Sequence, residues 1–249
     1  YAAASPEGLL SPLSYALFLY FLLPANLFLY GVNDYFDVGI DVENPKKKEK
    51  EVRYSGDVVV AAAVVTSGLL GVAFVPFLSF DAVVWLGVFY ALAVGYSAPP
   101  TRFKTVPFAD SVSNGLYIVP GVIAYLSLGS PESLPALAVA GAWLWSMGMH
   151  TFSAVPDIEP DREGGVETTA TYLGESATLG YCAAVWAASA AVFAPVSVAF
   201  AALLLVYPAL VGVVVYTDVS VGRAYWYFPL VNTAVGGVIT FVGLWRLVA

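Results

Sequence analysis

Charge is scarce in this chain. Only 11% of its 249 residues are Asp, Glu, Lys or Arg, where a soluble domain carries about a quarter, and that excludes an ordinary water-exposed surface. Basic residues are scarcer still, ten Lys and Arg against eighteen Asp and Glu, for a net charge of −8 and a pI near 4.5. That balance excludes nucleic acid as a partner. A single cysteine, Cys182, lies inside an apolar run, so no internal disulfide forms and the residue reads as small apolar packing. A single histidine, His150, leaves no Cys/His metal cluster. Internal repeats and low-complexity tracts are missing too, which excludes an array of modules. What remains is apolar. Hydrophobic residues make up 59% of the chain and the mean hydropathy is +0.79, the balance of a membrane protein. The richness in Ala and Val and the excess of acid over base suit a salt-adapted source.

Apolar runs of about 20 residues read as transmembrane helices. Eight are expected, at 12–33, 57–79, 82–98, 109–128, 134–155, 175–194, 196–216 and 225–247, separated by Gly, Pro and charged residues. The fold class is therefore all-α, a polytopic transmembrane helical bundle, with residues 1–249 expected to form one domain. With no initiator Met before Tyr1 and no signal-peptide pattern, the chain reads as a processed, trimmed or partly observed product. An even span count puts both termini on one side. Lys46, Lys47, Lys48, Lys50, Arg53, Arg102, Lys104, Arg162 and Arg223 all fall in loops on the opposite side, and only Arg246 lies with the termini. The positive-inside rule makes the basic face cytoplasmic.

Two acidic clusters stand on that same face. Asn33, Asp34, Asp37 and Asp41 follow the first span; Asp157 and Asp161 follow the fifth. A carboxylate at membrane depth costs about 2.5–3.5 kcal/mol on insertion scales, so such residues stay where function requires them. Asp34, Asp37 and Asp41 are spaced i, i+3, i+7 and share a face if the helix continues past Asn33. Asp157 and Asp161 are spaced i, i+4, with Pro156 and Pro160 making that helix end irregular. Mg2+ takes few protein carboxylates and completes its shell with water and substrate phosphate. Two such clusters suit Mg2+ and a diphosphate held between them. The plainer readings are a solvated loop or aspartates that cap helices.

Phosphate oxygens also need cations. Arg102 and Lys104 lie in Tyr96-Ser97-Ala98-Pro99-Pro100-Thr101-Arg102-Phe103-Lys104, where Arg can grip a phosphate with two donors and Lys offers a point charge. Either residue also serves as a topology anchor. Arg53 closes the first cytoplasmic loop and is a further candidate, whereas Lys46 to Lys50 read as a solvated or lipid-facing run. Arg162 is a candidate ligand or a local partner of Asp161. Among the aromatics, Tyr30, Tyr96 and Tyr117 are placed to line a chamber. Asn114 either contacts substrate or joins helices, and His150 is either packed and hydrogen-bonded or a proton acceptor.

The pairing of Asn-Asp-x-x-Asp-x-x-x-Asp with Asp-x-x-x-Asp resembles the UbiA superfamily of intramembrane prenyltransferases. Tyr96-Ser97 through Lys104, and Arg162-Glu163-Gly164-Gly165-Val166 through Leu173-Gly174, carry the same resemblance over nearly the whole chain. That family has nine helices with the N-terminus inside, so the resemblance implies a chain lacking its first helix. Segments Pro24–Gly31, Asn44–Glu51 and Ser153–Asp161 are most similar to the haloarchaeal lycopene-elongating branch. Val52-Arg53-Tyr54-Ser55-Gly56 departs from the Asn-Arg-Pro stretch of quinone-type members.

The resemblance implies an Mg2+-dependent transferase. It would ionise an allylic diphosphate, dimethylallyl diphosphate in that branch, and pass the prenyl group to lycopene within the bilayer, towards fifty-carbon carotenoids. Loss of a proton or capture of water would finish the reaction. In this reading Asp34, Asp37, Asp41, Asp157 and Asp161 are the catalytic and metal-binding carboxylates, with Asn33 beside them. Asn33, Arg53, Arg102, Lys104 and Arg162 bind diphosphate. A quinone precursor or glycerol-phosphate lipid as acceptor is the first rival, and few mid-membrane polar residues beyond Asn114, Ser146 and His150 support it. A transporter would place charges along a path through the bilayer. A pigment-binding subunit would not need both clusters.

Overall fold

The computed structural model describes residues 7–37, 56–217 and 219–248. All regular structure among them is helical. In chain order the helices are α1 Pro12–Leu22, α2 Pro24–Asp37, α3 Val58–Val72, α4 Phe80–Ser97, α5 Ala109–Ser113, α6 Val119–Leu128 and α7 Ala136–Ser153. They continue as α8 Ile158–Glu163, α9 Thr169–Leu173, α10 Glu175–Phe193, α11 Val198–Leu204, α12 Val206–Tyr216 and α13 Val221–Val248. Their starts follow local chemistry. Ser11, Asp57, Ser79, Thr168 and Ser197 each accept a backbone N–H of the first turn of α1, α3, α4, α9 and α11, answering donors that a helix N-terminus leaves unpaired. Pro24 breaks the first apolar run into α1 and α2, and the Asn26 amide donates to the carbonyls of Phe21 (2.9 Å) and Leu22 (3.1 Å) at the break.

Among the described residues seven segments are long and apolar enough to cross a membrane: Pro12–Asp37, Val58–Phe77, Phe80–Ser97, Ala109–Leu128, Glu175–Phe193, Val198–Tyr216 and Val221–Trp245. The protein is a polytopic helical membrane protein. The span expected at 134–155 is not among them: that segment forms α7, which is helical but less apolar, carrying Ser146, His150, Thr151 and Ser153. The reason is its place in the packing. Gly141, Ser146, Gly148, Thr151 and Phe152 are buried against protein, and a helix enclosed by other helices tolerates polar groups that lipid would not.

The helices gather into two compact units, one holding α1–α4 and α6, the other α5 and α7–α13. In the first unit small residues bring helices close. A side chain at Gly71 would meet the Tyr20 and Tyr90 hydroxyls at 2.2 and 2.0 Å. Those hydroxyls bond each other at 2.9 Å, and Tyr90 donates to the Gly68 carbonyl at 2.6 Å. In the second unit α7 packs chiefly on α10. Trp186 lies over Gly148 and donates to the Trp145 carbonyl at 3.1 Å, while Ser189 donates to the Gly141 carbonyl at 2.7 Å. Phe152, Trp186, Tyr207 and Phe228 stack into an aromatic core, with ring centroids 4.4 Å apart for Phe152 and Phe228.

Candidate active site

In the first unit α2 continues past Asn33 through Asp37, its last residue. Asn33 and Asp37 are therefore one helical turn apart and share a face. Asp37 is only 7% exposed, whereas Asp34 is exposed. Asp41 and Arg53, like Lys46 to Lys50, lie outside the described residues.

The partners of this face come from the end of α4. Pro99 and Pro100 forbid continuation of that helix, and Ala98 turns extended. Thr101 then folds the segment back by donating to the carbonyls of Gly95 (3.0 Å) and Ala98 (3.2 Å). Arg102 holds a φ of +37°, a region costly for a side-chain-bearing residue. The turn aims two cations at α2. Arg102 Nη2 donates to Asp37 Oδ1 at 3.3 Å, and Lys104 Nζ contacts both Asp37 carboxylate oxygens. Lys104 Nζ also donates to Asn33 Oδ1 at 3.0 Å, and the buried Ser97 hydroxyl donates to the same oxygen at 2.8 Å. Asn33, Asp37, Ser97, Arg102 and Lys104 thus form one polar cluster in a largely apolar unit.

This donor set suits a hard cation. Carboxylate and amide oxygens of Asp37 and Asn33 already surround the Lys104 ammonium, and Asp34 adds an exposed carboxylate on the same helix. Mg2+ commonly needs only one or two protein carboxylates when phosphate completes its shell. Among the described residues no three His, Cys, Asp or Glu side chains gather into a metal cage.

The second acidic motif lies in the other unit. Val155–Asp157 forms a single 3-10 turn and α8 follows. Pro156 and Pro160 occupy early helical positions, where a missing N–H does no harm. Asp157 stands at the N-cap of α8, yet its side chain does not cap that helix. Asp157 is exposed and Asp161 half-buried. Arg162 is engaged elsewhere than at Asp161: it pairs with Glu159 at 3.0 Å and donates to the Thr171 carbonyl at 2.9 Å, tying α8 to α9.

The remaining sequence candidates divide by exposure. Tyr30 is 56% and Tyr117 47% exposed, and Tyr96 is half-buried. Asn114 is buried, 4% exposed, and its polar groups are taken up within the protein. Its amide donates to the Asp110 carbonyl at 2.7 Å, and its own carbonyl accepts the Ser146 hydroxyl at 2.7 Å.

Sequence reasoning passed over Asp110. This carboxylate is fully buried at the start of a membrane-crossing segment. It accepts the Thr169 N–H at 3.0 Å and the Thr169 hydroxyl. Thr169 Oγ1 in turn accepts the Phe108 N–H at 2.7 Å, where Phe108 holds a φ of +66°. His150 Nε2 lies 4.0 Å from Asp110 Oδ2. The available signal was an acidic residue inside the span expected at 109–128, a functional marker by itself.

The UbiA prenyltransferase family model matches residues 1–226, and the chain belongs to that family. It is a prenyltransferase. It is 56% identical over 246 residues to the Haloarcula japonica protein named lycopene elongase/hydratase, covering 98% of this chain and 83% of that one. A Halobacterium salinarum protein of the same name is 53% identical over 249 residues, covering 100% and 90%. The fold resembles that of a UbiA homolog from Archaeoglobus fulgidus. The structure bound to GPP and Mg2+ superposes with a TM-score of 0.73 at 19% identity, covering 94% of this chain and 88% of that chain. The structure bound to DMAPP and Mg2+ superposes at 0.69 and 20%, covering 94% and 90%.

Proposed function

We propose that this prenyltransferase takes dimethylallyl diphosphate with Mg2+ and transfers the five-carbon group to lycopene. The observation that carries this reading is the 53–56% identity, across essentially the whole chain, to two haloarchaeal proteins named lycopene elongase/hydratase. The donor class follows from the diphosphates held by the Archaeoglobus fulgidus homolog, whose fold this chain shares. Residues 1–249 act as a single catalytic domain, and the basic loops with both acidic motifs face the cytoplasm, where diphosphate donors are soluble.

Asn33, Asp34, Asp37 and Asp41 would hold Mg2+ in the first motif, and Asp157 and Asp161 would do so in the second. When bound, Mg2+ neutralises charge on the leaving diphosphate. Arg102 and Lys104 supply fixed positive charge to the same oxygens as the carbon–oxygen bond breaks, and Arg53 is assigned to the diphosphate as well. Arg162 orders α8 under the second motif. Tyr30, Tyr96 and Tyr117 remain the aromatic candidates for stabilising a carbocation through their ring faces, and an apolar surround would keep water from it until the acceptor double bond attacks.

Lys104 separates substrate binding from mere anchoring. Its ammonium lies on the oxygens of Asn33 and Asp37 that a metal would use. Lys104→Gln is expected to raise the apparent donor KM about tenfold, roughly 1.4 kcal/mol, while lowering the Mg2+ concentration for half-maximal rate. Donor and Mg2+ titrations of inserted protein measure both. Unchanged values with altered membrane orientation would make Lys104 an anchor.

The deciding assay incubates membranes containing the chain with lycopene, dimethylallyl diphosphate and Mg2+, then separates carotenoids by mass. The expected product is lycopene carrying one or two added five-carbon groups, and removal of Mg2+ by a chelator abolishes it. Prenylation of a hydroxybenzoate or a glycerol-phosphate lipid with lycopene ignored would overturn the acceptor and leave prenyl transfer standing.

A further inference from the structure

The prenyl-transfer step leaves one chemical demand unmet. Attack of an acceptor double bond on the allylic cation moves the positive charge to a tertiary carbon of the acceptor. The neutral product then forms only when a proton leaves. The side chains assigned to the diphosphate do not by their placement serve this need, since they bind the donor end.

The second unit contains a buried pair that does. His150 is on α7, seven residues before Asp157 in the chain and within the same unit. Asp110, on α5, faces it, with Oδ2 at 4.0 Å from His150 Nε2. The two differ sharply in access: the Asp110 side chain is 1% exposed and that of His150 22%. Asp110 is itself fixed, since Thr169 donates to both of its carboxylate oxygens from its N–H and its hydroxyl. At 4.0 Å the contact is an ion pair once the imidazole is protonated, so the enclosed, fixed carboxylate stabilises the imidazolium that forms beside it. An ionisable pair inside a membrane bundle is expensive unless it has such a use.

Resting on the lycopene reading above, we propose that His150 is the proton acceptor that ends the reaction by water capture, and that Asp110, anchored by Thr169, is its positioning residue. A water oxygen donates a lone pair to the tertiary cation and a carbon–oxygen bond forms. One hydrogen of that water passes as a proton to the imidazole, and its O–H electron pair stays on oxygen. The product is a neutral tertiary alcohol, and the pair becomes imidazolium and carboxylate. The proton then returns to solvent before the next turnover. Without the imidazole the cation instead loses a proton from a neighbouring carbon to another base, and the product is an alkene.

The test measures a product ratio, so a general loss of activity cancels. The full chain in vesicles receives lycopene, dimethylallyl diphosphate and Mg2+, and the hydrated and unhydrated elongation products are quantified. His150→Gln is expected to lower the hydrated-to-unhydrated ratio at least tenfold, and Asp110→Asn to move it the same way. If Asp110→Asn fails to fold, His150→Gln decides alone. A ratio unchanged in His150→Gln, or a wild-type protein that yields only alkene, overturns the proposal. If dimethylallyl diphosphate is consumed but lycopene is not elongated, the acceptor reading fails by itself. The proton acceptor is then read from the donor alone: His150→Gln must lower the ratio of dimethylallyl alcohol to isoprene, and an unchanged ratio overturns it.

Discussion

Replacing Asp37 by Asn is expected to lower the rate at saturating donor by about 10²–10³-fold, the scale on which one preorganised electrostatic group acts. The substitution keeps the shape of the side chain and removes its charge. Among the described residues of its motif Asp37 is the buried one, and its carboxylate is held by Arg102 and Lys104. Both cations keep some access to solvent, 28% for Arg102 and 14% for Lys104. Loss of their partner therefore costs part of the about 3–5 kcal/mol that a fully buried broken pair would cost. The apolar spans still insert. Turnover is compared with the fraction of inserted, monodisperse protein, and a near-wild-type rate per folded molecule would remove Asp37 from the machinery.

Asp157→Ala should produce an equally large fall in rate by a different balance of effects. An aspartate that caps a helix typically contributes about 1 kcal/mol, lost on change to Ala. Asp157 occupies the N-cap of α8 without making that bond. The thermal midpoint is accordingly expected to move little while the rate drops about 10²–10³-fold, again the cost of one electrostatic group. A melting shift matching the loss of activity would mark Asp157 as structural. Parallel rate losses in Asp37→Asn and Asp157→Ala, with unequal stability losses, are what two motifs required for the same turnover predict.

Some of this site is readable from spacing. The face shared by Asn33 and Asp37 needs only that one helix extend four residues beyond Asn33, and α2 does so. The Pro99-Pro100 stop and the cations after it are equally local. Asp110 was not readable in the same way. Its significance depends on Thr169, 59 residues away, and on His150, 40 residues away in sequence; neither pairing leaves a periodic trace. Arg162 shows the converse. Beside Asp161 in sequence, it bonds instead to Glu159 and the Thr171 carbonyl, because the turn between α8 and α9 brings that carbonyl within reach. Asn114 drew attention as a polar group in an apolar run, but its amide is taken up by a carbonyl one turn earlier in its own segment.

Membrane residence, an all-helical fold and the positions of most span ends were determined by the sequence itself. Each depends on the composition and punctuation of about 20 neighbouring residues, which act through their own transfer energy and backbone limits. The pairing of Asp37 with Lys104 across 67 residues was decided only by tertiary structure. So were the enclosure of Asp110 beside His150 and the burial that lets α7 carry polar groups among lipid-crossing neighbours. Those outcomes turn on which helix faces meet, and close packing between helices sets that choice through shape and small-residue contacts that no single segment encodes.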